Sequence, residues 1–225
     1  MDLKSKIFLI AGPTASGKSS FAIQLAKKIN GEIINADSMQ VYKQFKILTA
    51  RPKFNKINNV IHHLYGFLDV KKKFSTGKWL NLTIIKVNKI KKKNKIPILV
   101  GGTGLYFKAL TEGLVKIPNI PIKTRNETRK LQKKIGQKKF YQKLLKIDKF
   151  SKNIINKNDV QRSIRAYEVK KFTKISLFEW FKKTKKIFEP NDFVKIYIDY
   201  PREDLIKRIN QRTEQMIRNG AIIER

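Results

Sequence analysis

The 225-residue sequence predicts an α/β protein: a P-loop NTPase-like core with a parallel sheet, interrupted by a helical, basic insertion. Three observations predict it. Two strand–glycine turn–helix units occur, one at residues 7–29 and one at 96–110. Between 116 and 190 strand alternation vanishes and lysine rises. From 194 a strand pattern returns, followed by a charged helical one.

Ile7 to Ala11 (IFLIA) has the length and β-branched content of a buried strand. Gly12-Pro13-Thr14-Ala15-Ser16-Gly17-Lys18-Ser19 then matches G-x-x-x-x-G-K-[ST], the phosphate-binding loop. Glycines let successive backbone N–H groups turn toward phosphate oxygens, Lys18 adds a point charge, and the Ser19 hydroxyl suits Mg²⁺. Ser19 to Ile29 reads as a helix with Phe21, Leu25 and Ile29 on one face, its N-terminal dipole toward the anion, and Asn30-Gly31 as its stop. This loop binds mono-, di- and triphosphates alike, so the motif leaves the phosphate compound open.

Glu32 to Asn35 is a second short strand, and Ala36-Asp37-Ser38-Met39-Gln40-Val41-Tyr42 follows it. A carboxylate just past a strand's C-terminal end sits where α/β sheets bind ligands, which makes Asp37 a candidate for chemistry. A turn former or helix N-cap is the competing role. Residues 43–78 read as polar and irregular. His62-His63 within them point apart and lack a third ligand nearby, which argues against a metal site. Trp79 to Ile90 fits a helix with Leu80, Ile84 and Val87 on one side, and 91–95 is a solvated basic run. Ile96 to Val100 is a strand, and Gly101-Gly102-Thr103-Gly104 turns it into a helix over 105–110 at the ligand edge.

In the insertion, Leu131, Ile135, Leu144 and Leu145 supply an apolar side. Asn158-Asp159 caps a helix from Val160 to about Phe172, with Val160, Ile164 and Tyr167 as its stripe. Arg162 and Arg165 share another face, suited to a catalytic clamp, a nucleic-acid contact or plain surface. Phe178, Trp180 and Phe181 suit core packing better than base stacking. Val194 to Tyr200 alternates as a strand, and Arg202 to Arg218 is a helix ending at Asn219-Gly220. The division this implies is a core of residues 1–115 and 191–225 around an insertion of 116–190.

The net charge of +34, from 51 Lys and Arg against 17 Asp and Glu, suggests a polyanionic partner. Abundant Lys, Ile and Asn of the kind an AT-rich genome favours offers a compositional alternative. Without cysteine, disulfides, thiol catalysis and cysteine-ligated metal are excluded. Lys4 and Lys6 precede an apolar run that stops after five residues in the phosphate loop, so it is a core strand rather than a signal peptide. No stretch approaches the roughly 18 apolar residues of a membrane span. A cytoplasmic protein is the expectation.

The stretches GPTASGKS at 12–19, INADSMQVY at 34–42, HHL at 62–64, PILVGGTGLY at 97–106, NDVQRSIRAYEV at 158–169 and YIDYPREDLIKRINQR at 197–212, taken in order, resemble the bacterial tRNA dimethylallyltransferases. They span most of the chain, and ADSMQVY with VGGTGLY is far more specific than the phosphate loop alone. The resemblance implies transfer of a dimethylallyl group from dimethylallyl diphosphate to N6 of the adenine 3′ of the anticodon, in tRNAs reading codons that begin with U. It implies Thr14, Lys18 and Ser19 on the leaving diphosphate with Mg²⁺, and Asp37 as general base and adenine anchor. Ser38, Met39 and Gln40 would line the tRNA contact. Thr103 would meet the flipped nucleotide or the diphosphate, and Arg125 the diphosphate or RNA. Gln161, Arg162, Ser163, Ile164 and Arg165 would touch the anticodon stem-loop of a tRNA bound by a monomer. The chain departs from the family in reading Leu48-Thr49-Ala50-Arg51-Pro52 for G-T-A-K-P, in matching loosely after HHL, and in stopping at Glu224-Arg225 where family members continue. Two other readings explain the phosphate loop: a P-loop kinase of a small metabolite or nucleotide, and a nucleic-acid-binding ATPase. The kinase explains neither ADSMQVY together with VGGTGLY nor the charge; the ATPase requires an acidic strand end with an adjacent catalytic carboxylate, for which Asp37 comes close after the phosphate loop and Asp199 precedes a Pro-containing turn.

Overall fold

Five parallel strands form the sheet that the sequence predicts, in the order β4-β2-β5-β1-β6, with a two-residue antiparallel strand β3 outside β4. The computed structural model describes residues 3–52, 56–57 and 59–224. The strands are β1 (Ile7–Ala11), β2 (Gly31–Asn35), β3 (Lys56–Ile57), β4 (Val60–His63), β5 (Ile96–Val100) and β6 (Phe193–Tyr197). The helices are α1 (Lys18–Lys28), α2 (Thr76–Lys91), α3 (Gly104–Glu112), α4 (Ile122–Ile147), α5 (Val160–Thr173), α6 (Leu177–Lys182) and α7 (Arg202–Arg218). The chain divides into two compact units, Met1–Thr111 with Ile187–Arg225, and Glu112–Lys186.

In the first unit β1, β2 and β5 read as nearly continuous apolar runs because helices cover both faces of the sheet. One face packs Leu9, Ile34 and Leu99 against Trp79, Val87 and Ile90 of α2. Trp79 is fully buried, stacks on Tyr106 at 4.1 Å, and donates its indole N–H to the Asn35 carbonyl at 2.9 Å. The other face packs Phe8, Ile33 and Ile98 against Ala22 and Ala26 of α1. Small residues let α1 lie close to the sheet. The expected Phe21 face is therefore corrected: Leu25 and Ile29 flank the seam, whereas Phe21 is exposed.

Other expectations shift too. Residues 60–63, expected to be irregular, form β4 and pair with β2 through Ile33–His62 and Ile34–His63. Residues 53–55 and 58 of that stretch lie outside the described residues. The strand expected at 194–200 runs Phe193–Tyr197, and its edge position leaves it half-exposed. In the second unit the basic segment expected as helix contains α4, which is broken at Gly136 (φ 74°) into two arms. Phe140 and Leu144 of the second arm pack on Ile164, Tyr167 and Leu177. Asp159 caps α5 by accepting from Arg162 N at 2.9 Å. Phe178 and Trp180 pack against this core and Phe181 is exposed.

Glu32 of β2 is fully buried, held by His63 Nε2 at 2.6 Å and Lys95 Nζ at 3.0 Å. Burial pushes its carboxyl up, but the His63 and Lys95 contacts outweigh this and hold it below the usual range. Burial also holds His62 and His63 below the ordinary histidine range, against the pull of Glu32 on His63. All three groups bind protons less readily folded than unfolded, so each adds stability above its unfolded pKa that is lost as pH falls through its folded one. The urea midpoint should therefore start to drop below about pH 6.5, through the histidines, and drop again in the carboxylate range. Glu32→Gln should shrink the second step, to which Glu224 also contributes, and keep or deepen the first, because Glu32 no longer pulls His63 up; a midpoint flat from neutral into acid would refute this account.

Candidate active site

The C-terminal ends of β1, β2 and β5 converge on one cleft of about 460 Å³. The phosphate loop forms its floor, with Thr14 to Ser20 all lining it. Gly12, which enters the loop, lies so near the Ile198 carbonyl that a Cβ would come within 2.6 Å of that oxygen. Pro13 accepts from Lys18 Nζ. Ala15 holds φ 64°, an uncommon conformation for a residue with a side chain. Burial pushes the Lys18 ammonium pKa down, nearby Asp37 pulls it up, and Arg212 adds to the depression.

Asp37 is the one carboxylate among the residues lining the cleft. No helix follows it; residues 38–44 are turns and an isolated bridge, so the N-cap alternative is set aside. The turn-forming one holds, because Asp37 Oδ1 accepts from Met39 N at 2.8 Å. Turn former and cleft residue are thus compatible roles. The buried Asn35 side chain fixes the backbone here, accepting from Asp37 N at 2.8 Å and donating to the carbonyls of Asp37 (2.9 Å) and Leu64 (3.0 Å).

Thr103 braces the same turn, accepting from Ser38 N at 2.9 Å and donating to Ser38 Oγ at 3.3 Å. It is not among the cleft-lining residues, and neither are Ser38 and Met39; the Met39 side chain is exposed. Gln40 lines the cleft and donates to the Thr49 carbonyl at 2.8 Å.

Sequence reasoning missed the cleft's far wall. Arg208, Gln211, Arg212 and Gln215 of α7 line it, together with Thr49 and Tyr65. The α7 residues recur at helical spacing, a polar stripe that the sequence displays but that the expected helix left unread. Arg208 sits over the Tyr200 ring at 4.8 Å. Burial raises the Tyr65 hydroxyl pKa, and Asp37 raises it further, so this phenol stays protonated.

Arg125 belongs to the helical unit, around a second hollow with Arg129, Gln161, Ile164, Arg165 and Glu168. Arg165 lies 3.7 Å from the buried Glu168 carboxylate, and burial lowers the guanidinium pKa. Arg162 instead pairs with its own cap, Asp159, at 3.5 Å, so the two arginines do not act as a pair. Ser163 is fully buried, donating to the Asp159 carbonyl and accepting from Gln137, and Ile164 is in the core. Of the run 161–165, Gln161 and Arg162 are exposed, and Gln161, Ile164 and Arg165 line the hollow. Among the described residues no cluster of three or more His, Cys, Asp or Glu could hold a metal ion, and no helix is long and apolar enough to cross a membrane.

A family model described as IPP transferase matches residues 40–225. A tRNA dimethylallyltransferase of Pelagibacter ubique (strain HTCC1062) is 62% identical over 224 residues, covering 100% of this chain and 72% of that protein. One of Rickettsia massiliae (strain Mtu5) is 42% identical, covering 98% of this chain but 61% of that protein. A solved eukaryotic dimethylallyltransferase acting on tRNA superposes with a TM-score of 0.83 at 30% identity, over 97% of this chain and 54% of its own. The full-length tRNA isopentenylpyrophosphate transferase of Bacillus halodurans gives a TM-score of 0.63 at 33% identity, over 98% of this chain and 68% of its own.

Lys18, Arg208 and Arg212 place three cations around one space. Arg208→Ala and Arg212→Ala should each weaken binding of inorganic pyrophosphate by roughly tenfold, the scale of one hydrogen bond to a charged group. Isothermal titration calorimetry measures this; unchanged affinity in both variants would detach α7 from the anion site.

Proposed function

Because the chain belongs to the IPP transferase family, we propose that it transfers a dimethylallyl group from dimethylallyl diphosphate to tRNA. The acceptor is N6 of the adenine 3′-adjacent to the anticodon, in tRNAs reading codons that begin with U. One observation carries the reading: a phosphate loop and two α7 arginines face a single carboxylate across one cleft. A diphosphate and an adenine amine together require that pairing of charges.

The diphosphate lies on the backbone N–H groups of Thr14 to Ser19 and the α1 N-terminus, with Lys18, Arg208 and Arg212 as counter-charges. The amine is inaccessible inside a stacked loop, so the adenine is extruded into the cleft. There the Asp37 carboxylate accepts a hydrogen bond from N6 and orients its lone pair. The N6–C1 bond forms as the C1–O bond to diphosphate breaks. The N6 proton passes to Asp37, and the bond electrons leave on pyrophosphate, where the cations and amides stabilise them. Thr103 acts by holding the Ser38 turn. Mg²⁺ fits: it takes few protein ligands beside phosphate oxygens, and the Ser19 hydroxyl lines the cleft beside the loop. When bound, it neutralises charge on the leaving group.

We assign the tRNA grip to the helical unit, for which the insertion bounds of 116–190 remain the proposal. Half of the net charge of +34 lies in its third of the chain. Arg125, Arg129 and Arg165 around their hollow, with Gln161 and Arg162 exposed beside it, suit the anticodon stem-loop's phosphates. The enzyme works as a monomer in the cytoplasm, where its substrate is. Nothing favours the kinase reading as specifically as the relatives favour this one.

Incubation with unmodified tRNA and labelled dimethylallyl diphosphate, followed by nucleoside mass analysis, tests the reading directly. ATP hydrolysis stimulated by a small hydroxylated metabolite, without prenylated adenosine, would sink it. Asp37→Asn should keep the melting temperature, since the amide oxygen still accepts from Met39 N. Single-turnover transfer should slow by roughly 10²–10⁴; near-normal transfer would leave Asp37 a turn former only. Affinity for an anticodon stem-loop should fall with salt at a log–log slope near −0.7 per neutralised single-stranded phosphate. Reversing several insertion lysines to Glu should flatten that slope and leave dimethylallyl diphosphate binding intact; an unchanged slope would make the charge compositional.

A further inference from the structure

The helix that supplies Arg208 and Arg212 is only shallowly anchored: Leu205, Ile209 and Met216 are half-buried along one stripe. No residue of α7 is buried, and Ile206 and Ile217 are exposed. Its register over the cleft is also held from its ends. At the N-terminal end Arg208 rests on Tyr200. At the C-terminal end the chain turns through Gly220, with Ala221 N bonded to Met216 O and Glu224 N to Gly220 O. That turn carries Glu224 back to the core.

There the Glu224 carboxylate meets three consecutive backbone amides. Oε1 accepts from Lys46 N at 2.6 Å and Ile47 N at 2.8 Å; Oε2 accepts from Ile47 N and Leu48 N, both at 2.9 Å. Burial alone would raise the Glu224 pKa, but these amides, with Arg51 nearby, outweigh it and keep the group ionised. The loop so gripped leads straight into the cleft. Thr49 Oγ1 donates to Phe45 O at 2.6 Å, and Gln40 donates to Thr49 O at 2.8 Å; Gln40 and Thr49 are both cleft-lining.

We infer that Glu224 is a positioning residue: a latch that ties α7 to the 46–48 loop and so holds Arg208 and Arg212 over the phosphate loop. It touches no reacting atom. Its effect reaches the reaction through the two arginines on one side and through Gln40 and Thr49 on the other. The positioning role rests on the reading of the cleft as a diphosphate site, whereas the latch itself is a property of the fold.

Glu224→Ala, Glu224→Gln and a control at an exposed α7 position, Glu214→Ala, test it in the full chain. Amide hydrogen exchange at Lys46, Ile47 and Leu48 reads the latch, calorimetry with inorganic pyrophosphate and Mg²⁺ reads positioning, and melting temperature reads the fold. In the alanine variant those three amides should exchange on the order of tenfold faster, and pyrophosphate affinity should fall by a similar factor. Glutamine keeps an acceptor oxygen without the charge, so it should restore part of both. The control should change neither. Affinity that tracks melting temperature instead of the order Glu, Gln, Ala would show a merely structural contact and overturn the inference, as would unchanged exchange in the alanine variant. A parent protein that binds pyrophosphate alongside an alanine variant that binds it equally overturns the positioning role alone. A parent that does not bind it overturns the diphosphate reading, and the positioning role with it.

Discussion

A single buried amide organises the catalytic edge. Asn35 closes β2, and its side chain spends every polar atom on backbone: it accepts from Asp37 N and donates to the Asp37 and Leu64 carbonyls. Trp79 holds the Asn35 carbonyl from the opposite side. Buried polar groups must be satisfied, so each of these contacts excludes alternatives. The turn that presents Asp37, the loop after β4 and the helix α2 thereby share one fixed geometry. Removing the amide would leave three backbone groups to find new partners, and the Asp37 carboxylate would lose its direction before it lost its charge.

Two carboxylates on this stretch show how burial separates roles. Glu32 lies inside the sheet, hydrogen-bonded to His63, paired with the Lys95 ammonium, and closed to any ligand. Asp37 lies five residues on, past the strand's end, with Met39 N on its Oδ1 and the cleft in front of it. The first carboxylate has its partners within the fold; the second has room for a partner from outside. The cations follow the same logic. Lys95 is tied to Glu32, whereas burial, with a smaller repulsion from Arg212, depresses the Lys18 pKa, a cation in a setting that a bound anion relieves.

The local signals in the sequence were strong wherever chemistry and backbone coincide. The phosphate loop, the strand β5 with its glycine turn, and the Asp159 cap are short-range features that neighbouring residues decide. Asp37's place at a strand end followed from the alternation of strand and helix. What stayed hidden depends on long-range pairing. β4 is four residues among loops, and only its ladder with β2 makes it a strand. The α7 wall required knowing which face of a helix with no buried residue turns toward β1 and β2. Phe21 misled because helical spacing also suits an exposed face, while the buried seam uses Ala22 and Ala26, whose small size no hydrophobic count rewards. The break at Gly136 lay in a run of good helix formers.

Gly101 shows where this edge cannot change. It follows β5, and a Cβ there would fall into the backbone carbonyl of Ala36, immediately before Asp37. Two loops from different strands therefore meet backbone to backbone. Thr103 N adds a hydrogen bond to that same carbonyl at 3.2 Å. Any side chain at 101 would displace the acid rather than merely crowd a neighbour. The two segments are thus inherited as a pair: grafting the Asp37 turn into another sheet, or redesigning it for a different acceptor, carries the glycine turn along or fails.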